Sequence, residues 1–333
     1  MGVLYIAGTS PHCGKTALVA GLALALHRHG KAPIALKPVA SAEDADNAFF
    51  RHLVADPPAL DGLPTPLPAD GVLPARATEA LRALAQGSRP LLLEGLDSVL
   101  LGSQGQASTA LVEATSARVV LVVPYRPDLR AEDLESARSH FGQRLLGVLV
   151  NWVWRYHGHR AHAQIAPALE RAGLRVLGLV PEDRVLSAPT VAEVARCVEG
   201  EIRLYPEKGD ALVEAIMVGG WALDEGQYVF SRHARKAVVV RADRPDLHLA
   251  ALATSTTCLV LTGGVEPVQY TVYEAEQTGT PLVWTRLSTL AALQRLEGVA
   301  GLATARVPEK ARRFADLLAQ HADLPALQSA LLD

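Results

Sequence analysis

Short, nearly unbroken apolar runs alternate with amphipathic stretches along the first 200 residues. Gly2–Ala7, Ala32–Lys37, Pro90–Glu94, Ala117–Val123, Leu145–Asn151 and Arg175–Val180 are the runs. A strand covered on both faces has this composition; a strand with one wet face alternates instead. Between the runs, Gly14–His29, Ala75–Ala85, Ala131–His140 and His159–Ala172 place their apolar residues at helical spacing. Repeated strand–helix alternation predicts an α/β fold with a doubly wound, mostly parallel sheet. Asp56–Pro74 holds six prolines and is expected to be an irregular surface loop.

The pattern breaks across 198–207 and then resumes. Lys236–Ala242 reads as a strand, Asp246–Thr254 as a helix, Thr257–Thr262 as a strand, Val268–Gln277 as a helix and Pro281–Thr285 as a strand. The tail, Glu309–Leu332, is helical by period and is free to pack on either domain. With 333 residues the chain is long enough for two cores. The expected division is a first domain over 1–199 and a second, smaller α/β domain over 200–333.

Composition changes this picture little. The chain is 49% hydrophobic and 20% charged, with a net charge of −3. Its basic residues are scattered, so no concentrated basic face favours nucleic acid. No apolar run reaches the roughly 20 residues that span a bilayer, and the opening MGVLYIAGTSP is too short and uncharged for a signal peptide. Cys13, Cys197 and Cys258 are far apart and form no CxxC pair, which argues against a disulfide framework or a zinc site. A cytoplasmic location is the expectation.

Chemistry enters at Gly8–Thr16, which reads GTSPHCGKT and lies between a predicted strand and a predicted helix. Backbone N–H groups at a helix N-terminus cradle phosphates, and the helix dipole favours the anion. Gly8, Thr9, Gly14, Lys15 and Thr16 are the candidate nucleotide-binding residues. Lys15 is placed to reach the β- and γ-phosphates, and the Thr16 hydroxyl to ligate magnesium. The strict spacing G-x4-G-K-[ST] fails, because Thr9 holds its first position and the glycine comes one residue earlier.

This longer loop resembles that of the dethiobiotin synthetases, and the resemblance continues downstream. IALKPVAS at Ile34–Ser41 is similar to that family's strand ending in Lys-Pro-Val, LLLEG at Leu91–Gly95 to its strand ending in Glu-Gly, and LLGVLVNW at Leu145–Trp152 to its strand ending in asparagine. The resemblance implies bound ATP and Mg2+. It gives Lys37 a catalytic role beside Lys15, in contact with phosphate and with a substrate carboxyl or carbamate. It implies Thr16, Asp46 and Glu94 as the magnesium set, with Asp44 competing with Asp46. Asn151 and the backbone at Pro181, in VPED, are implied to border the adenine. One departure stands out: Leu96-Asp97-Ser98 replaces the family's glycine-rich run after Glu94.

Over nearly its full length the chain is similar to the N-terminal region of long bacterial phosphotransacetylases and to stand-alone proteins of the same make-up. These join such a P-loop domain to a DRTGG domain. LKPVASAEDADNAFF, LGLVPEDRVLSAPTVAEV, AIMVGGWAL, RADRPDLHLAALATS and CLVLTGGVEP occur here in the corresponding order. Asp243-Arg244-Pro245 and Thr262-Gly263-Gly264 stand in for the nominal DRTGG signature. Both fall at predicted strand carboxyl ends, where α/β sheets bind ligands, although turn and capping chemistry accounts for them somewhat better. The family's acetyl-transferring domain has no counterpart before Asp333, so acetyl transfer is not expected of this chain alone. The resemblance implies a nucleotide-responsive regulatory or sensor protein, and a homodimer formed through the second domain. The alternative is an ATP-dependent carboxylate-activating ligase of the dethiobiotin synthetase type.

Two further features read as structural. Trp152, Trp154, Tyr156, His157, His159 and His162 cluster just past Asn151, and His159 and His162 have the spacing of a metal pair but no carboxylate or thiolate partner. Cys13 stands inside the phosphate loop, where a small filler suffices.

Overall fold

The first sheet is built from Val3–Gly8 (β1), Ile34–Leu36 (β2), Leu91–Glu94 (β3), Arg118–Pro124 (β4), Leu145–Val153 (β5) and Val176–Pro181 (β6), all parallel, in the order β2-β3-β1-β4-β5-β6. In this computed structural model, residues 1–28, 30–54, 62–98, 102–220 and 227–332 are described. Each strand falls within two or three residues of its apolar run. The reason is the one the pattern gives: β1 is buried at all six positions, with helices on both faces. Lys15–Arg28 (α1) follows β1, and Ala75–Ala85 (α3) falls where its periodicity places it.

Among the helices the pattern did not mark are two beside the phosphate loop's sheet. Ala45–Leu53 (α2) begins at the N-cap Asp44, whose carboxylate accepts from the backbone N–H of Asp46 and of Asn47. Gly102–Thr115 (α4) is rich in Gly, Ser and Thr, so neither propensity nor amphipathic contrast marks it. His29, the last residue of the first predicted helix, and residues 56–61 of the proline-rich loop lie outside the described residues.

The tail settles on the first unit. Pro308–His321 packs along α1, and a Cβ added at Gly21 would stand 3.0 Å from Phe314 Cδ1 and 3.2 Å from the Ala315 nitrogen. Glycine at that position is what allows the two helices to approach so closely. Beyond it, the Asp323 N–H donates to the Leu177 carbonyl at 2.7 Å. The helix Leu324–Leu332 then brings the Leu331 carbonyl to the Gly2 N–H at 2.9 Å.

Compactness accordingly divides the chain into Met1–Asp183 with Ala305–Asp333, and Arg184–Thr304. The boundary expected at 199/200 moves back to 183/184, and the tail leaves the second unit for the first. The physical reason for the earlier boundary is the helix Val191–Cys197. Its Val191, Val194 and Ala195 share a core with Val198, Val239, Val260 and Val283 of the second unit.

That second unit holds Glu201–Leu204 (β7), Ala215–Val218 (β8), Lys236–Arg241 (β9), Thr256–Thr262 (β10) and Leu282–Trp284 (β11) in the order β7-β11-β10-β9-β8. Only β7 runs antiparallel to its neighbour. Trp221, at the end of the apolar AIMVGGW stretch, lies outside the described residues.

Candidate functional site

The loop from Thr9 to Gly14 joins β1 to α1 at the carboxyl edge of the first sheet. Gly14 has φ +104°, and a Cβ there would lie 2.2 Å from Asn151 Nδ2. Only glycine satisfies both conditions. Asn151, fully buried at the end of β5, donates from Nδ2 to the Cys13 carbonyl at 3.0 Å. That acceptor fixes the amide orientation and leaves Asn151 Oδ1 buried without a hydrogen-bond partner. Asn151 is therefore a buttress of the phosphate loop. Burial pushes the Cys13 thiol up, against the opposing pull of Lys15, so Cys13 acts as a packed filler.

Lys15 is buried, and its Nζ makes a long 3.4 Å contact with the Asp97 carbonyl. Next to it, Ser98 Oγ donates to the Thr9 carbonyl at 3.0 Å. The Leu96-Asp97-Ser98 run that replaces a glycine-rich segment thus closes onto the phosphate loop itself.

The remaining polar residues form one cluster. Thr16 Oγ1 donates to Glu94 Oε1 at 2.8 Å, while Glu94 Oε2 is buried with no partner. Lys37 Nζ lies 2.7 Å from Asp46 Oδ2 and 3.4 Å from Asp44 Oδ2. Asn47 clamps the end of the second strand segment, accepting from the Lys37 N–H at 2.8 Å and donating to the Lys37 carbonyl at 2.9 Å. The other oxygen of Asp46, Oδ1, takes the Arg306 guanidinium at 3.1 Å. Asp44 caps α2, while the charge of Asp46 acts on Glu94.

Burial pushes the Glu94 carboxyl up to about 8; the Asp46 charge adds to this, and Lys37, the Thr16 bond and Lys15 oppose it. For Lys37 burial alone would lower the value, but the Asp46 hydrogen bond and the charges of Glu94, Asp46 and Asp44 raise it well above the ordinary lysine range. A hard cation fits this donor set. It would find a threonine hydroxyl, one buried carboxylate oxygen with no partner, and a second carboxylate within electrostatic reach. Magnesium is held by few protein oxygens, with phosphate and water completing its shell.

Residues 3–190 match the family model described as an AAA domain, and residues 193–299 match the one described as a DRTGG domain. The chain belongs to the AAA domain family. Within it the P-loop is of the dethiobiotin-synthetase-like type, followed by a DRTGG domain. This AAA–DRTGG chain is similar to a phosphate acetyltransferase of Acinetobacter baylyi, at 26% identity over 396 aligned residues covering 99% of this chain and 52% of that protein. It spans about half the length of that protein.

Among solved structures it is similar to Mycobacterium smegmatis cobyrinic acid a,c-diamide synthase with bound ADP and magnesium (17% identity, 55% of this chain and 88% of that one, TM-score 0.39). A second is the MinD cell division protein of Aquifex aeolicus (18%, 56% and 84%, TM-score 0.39). A third is the CBS and DRTGG domains of the regulatory region of Clostridium perfringens pyrophosphatase complexed with its activator, diadenosine tetraphosphate (15%, 37% and 54%, TM-score 0.31).

The structure gathers Gly8, Thr9, Gly14, Lys15, Thr16, Lys37, Asp46, Glu94 and Asn151 of the AAA domain at one sheet edge. Pro181 ends β6 opposite Val153, and the Glu182 N–H donates to the Val153 carbonyl at 3.0 Å. His159 and His162 are exposed, and among the described residues no three of His, Cys, Asp and Glu come together as a metal cage.

In the DRTGG domain, Asp243 pairs with Arg241 and Asp246 with Arg244. The Gly263 N–H donates to the Leu287 carbonyl at 2.8 Å and the Gly264 N–H to the Thr285 carbonyl at 3.2 Å. The first loop spends its charges within itself and the second its backbone donors on the segment after β11, which favours the turn and capping reading. Arg306 and Asn47 were missed by the sequence reading. Asn47 sits three residues past the cap Asp44, a short-range signal, whereas Arg306 is 260 residues from Asp46 and carries none.

Proposed function

We propose that the AAA domain binds ATP with magnesium on the phosphate loop, and that the protein responds to the nucleotide as a regulatory or sensor protein. The observation that carries this reading is the contact of Lys15 Nζ with the Asp97 carbonyl. An ionised phosphate is a stronger partner for a buried ammonium than a peptide carbonyl is. Nucleotide phosphate would draw Lys15 away and release the 96–98 run, which also grips Thr9 through Ser98. A segment that in dethiobiotin synthetases serves the substrate would here report on the nucleotide.

The geometry supports a role for each of these residues. Backbone N–H groups of the loop ending at Gly14 cradle phosphate, Asn151 holds that loop in shape, and Lys15 supplies the cation. Thr16, Glu94 and Asp46 would hold magnesium, whose chemistry at this place is to neutralise phosphate charge. Lys37 would orient Asp46; Asn151, spent on the Cys13 carbonyl, would act on the loop rather than on the base, which the backbone at Pro181 would border. The test is hydrogen exchange of the intact protein with and without ATP and magnesium. Altered exchange across 94–98 with slow or no ADP release is expected. Rapid ADP release on adding diaminopelargonic acid and bicarbonate would replace this reading by the ligase one.

Self-association through the DRTGG domain has its own support. Val265, Val268, Tyr270 and Tyr273 are all about half exposed, and the two tyrosine rings stack at 6.3 Å at the start of the helix Gln269–Thr278. An apolar patch of this kind marks an interaction surface. Light scattering of the intact chain is expected to give a dimer that Tyr273→Asp dissociates. A monomer at micromolar concentration would contradict it.

A further inference from the structure

Trp152 is the second residue of an irregularity at the carboxyl end of β5. Val150 pairs with Leu179 and Val153 with Pro181, so Asn151 and Trp152 stand opposite the single residue Val180. An extra residue of this kind breaks the alternation of side chains and re-aims them, and such bulges recur beside functional sites. Trp152 also has φ +60°. A bulky side chain in the left-handed region is uncommon and costly, and it persists where the surroundings or a function require it. Trp152 is nonetheless 42% exposed, so a large part of its ring faces solvent.

What lies beside it is the phosphate loop. Asn151, its chain neighbour, donates to the Cys13 carbonyl at 3.0 Å and closes on Gly14. Beyond it, Tyr125, Trp154 and His157 form their own aromatic cluster, with Tyr125 and Trp154 rings 5.9 Å apart and Trp154 and His157 rings 5.0 Å apart. Trp154 is thereby engaged with its neighbours, while no ring contact involving Trp152 is present among the described residues. A flat, half-exposed indole held in a strained backbone at the ligand edge of the sheet is a stacking surface for another flat ring.

We propose that Trp152 is the platform on which the base of the phosphate-loop nucleotide stacks. The ligand class is a purine nucleoside triphosphate, with its phosphates on Lys15 and its base on the indole. This rests on the nucleotide reading above, and the test separates the two. Intact protein is titrated calorimetrically with ATP and, in parallel, with inorganic tripolyphosphate, both with magnesium. In Trp152→Gly, ATP binds about tenfold more weakly, the loss of one base–aromatic stack, while tripolyphosphate binds as before. Glycine accepts φ +60° without strain, and the tripolyphosphate arm shows whether this variant keeps a folded phosphate loop. ATP is expected to quench indole fluorescence in the wild type, and Trp152→Phe keeps most of the ATP affinity but loses that quenching.

Unchanged ATP affinity in Trp152→Gly overturns the proposal. So does an equal loss for ATP and tripolyphosphate, which would place Trp152 among the supports of the loop. Failure of both ligands to bind the wild-type protein would overturn the nucleotide reading itself, and the stacking proposal with it.

Discussion

Arg306 reaches Asp46 Oδ1 at 3.1 Å while Lys37 holds Asp46 Oδ2 at 2.7 Å, so both oxygens of the carboxylate implied in magnesium binding are already paired with cations. Magnesium, if held here as proposed, would compete with Arg306 for one oxygen. Arg306 is 42% exposed on its side chain, and a pair in that setting is worth about 0.5–1 kcal/mol after screening. Arg306→Ala is expected to bind magnesium roughly two- to fivefold more tightly at fixed ATP, as read by titration of the metal. A weaker magnesium response would mean that Arg306 serves the bound state instead.

The glycine of the phosphate loop is held by sterics from a distant strand. A Cβ at Gly14 meets Asn151 Nδ2 at 2.2 Å and the backbone has φ +104°. Gly14→Ala is expected to cost about 2 kcal/mol, from backbone strain together with loss of the Asn151–Cys13 bond, and to abolish ATP binding. Asn151→Ala removes the atom that clashes. The double variant should then be less destabilised than the two single costs added together, which denaturant unfolding measures.

Much of this architecture is legible in the sequence, for a definite reason. Buried parallel strands are continuous apolar runs, and β1 through β6 all carried that signal. The phosphate loop was legible because its residues are contiguous and its chemistry is local. Arg306 was not, because nothing near it in the chain marks an arginine that pairs with a carboxylate 260 residues away. The tail's destination was likewise open, since a helical period specifies a face but not its partner. Gly21 against Phe314 decides it.

That docking predicts that the tail is part of the first unit's stability. Phe314 is 1% exposed and faces Gly21 across the helix pair. Phe314→Ala is expected to cost about 3–5 kcal/mol in the unfolding of that unit. A loss under 1 kcal/mol would mean the tail is an appendage.

In the DRTGG domain, His248 is buried with Nε2 on the Arg241 carbonyl at 2.9 Å and Nδ1 on the Thr271 hydroxyl at 3.0 Å. Burial lowers its value, and the Arg241 carbonyl and the Asp246 and Asp243 charges oppose this only in part. The native imidazole thus declines a proton that the unfolded chain accepts near the ordinary value of about 6.5. The contribution of His248 is full above that pH and falls as the pH drops through it. The wild type should lose up to about 1 kcal/mol more than His248→Gln between pH 7.5 and 5.5, seen as converging urea midpoints. Parallel midpoints would contradict the assignment.

We propose above all that the AAA domain holds a nucleotide through Lys15. Calorimetric titration of ATP with magnesium into the intact protein and into Lys15→Ala reads this out. Saturable binding to the first and no measurable heat of binding to the second are expected, with both proteins equally folded. Equal ATP affinity in the two proteins would remove Lys15 from the site.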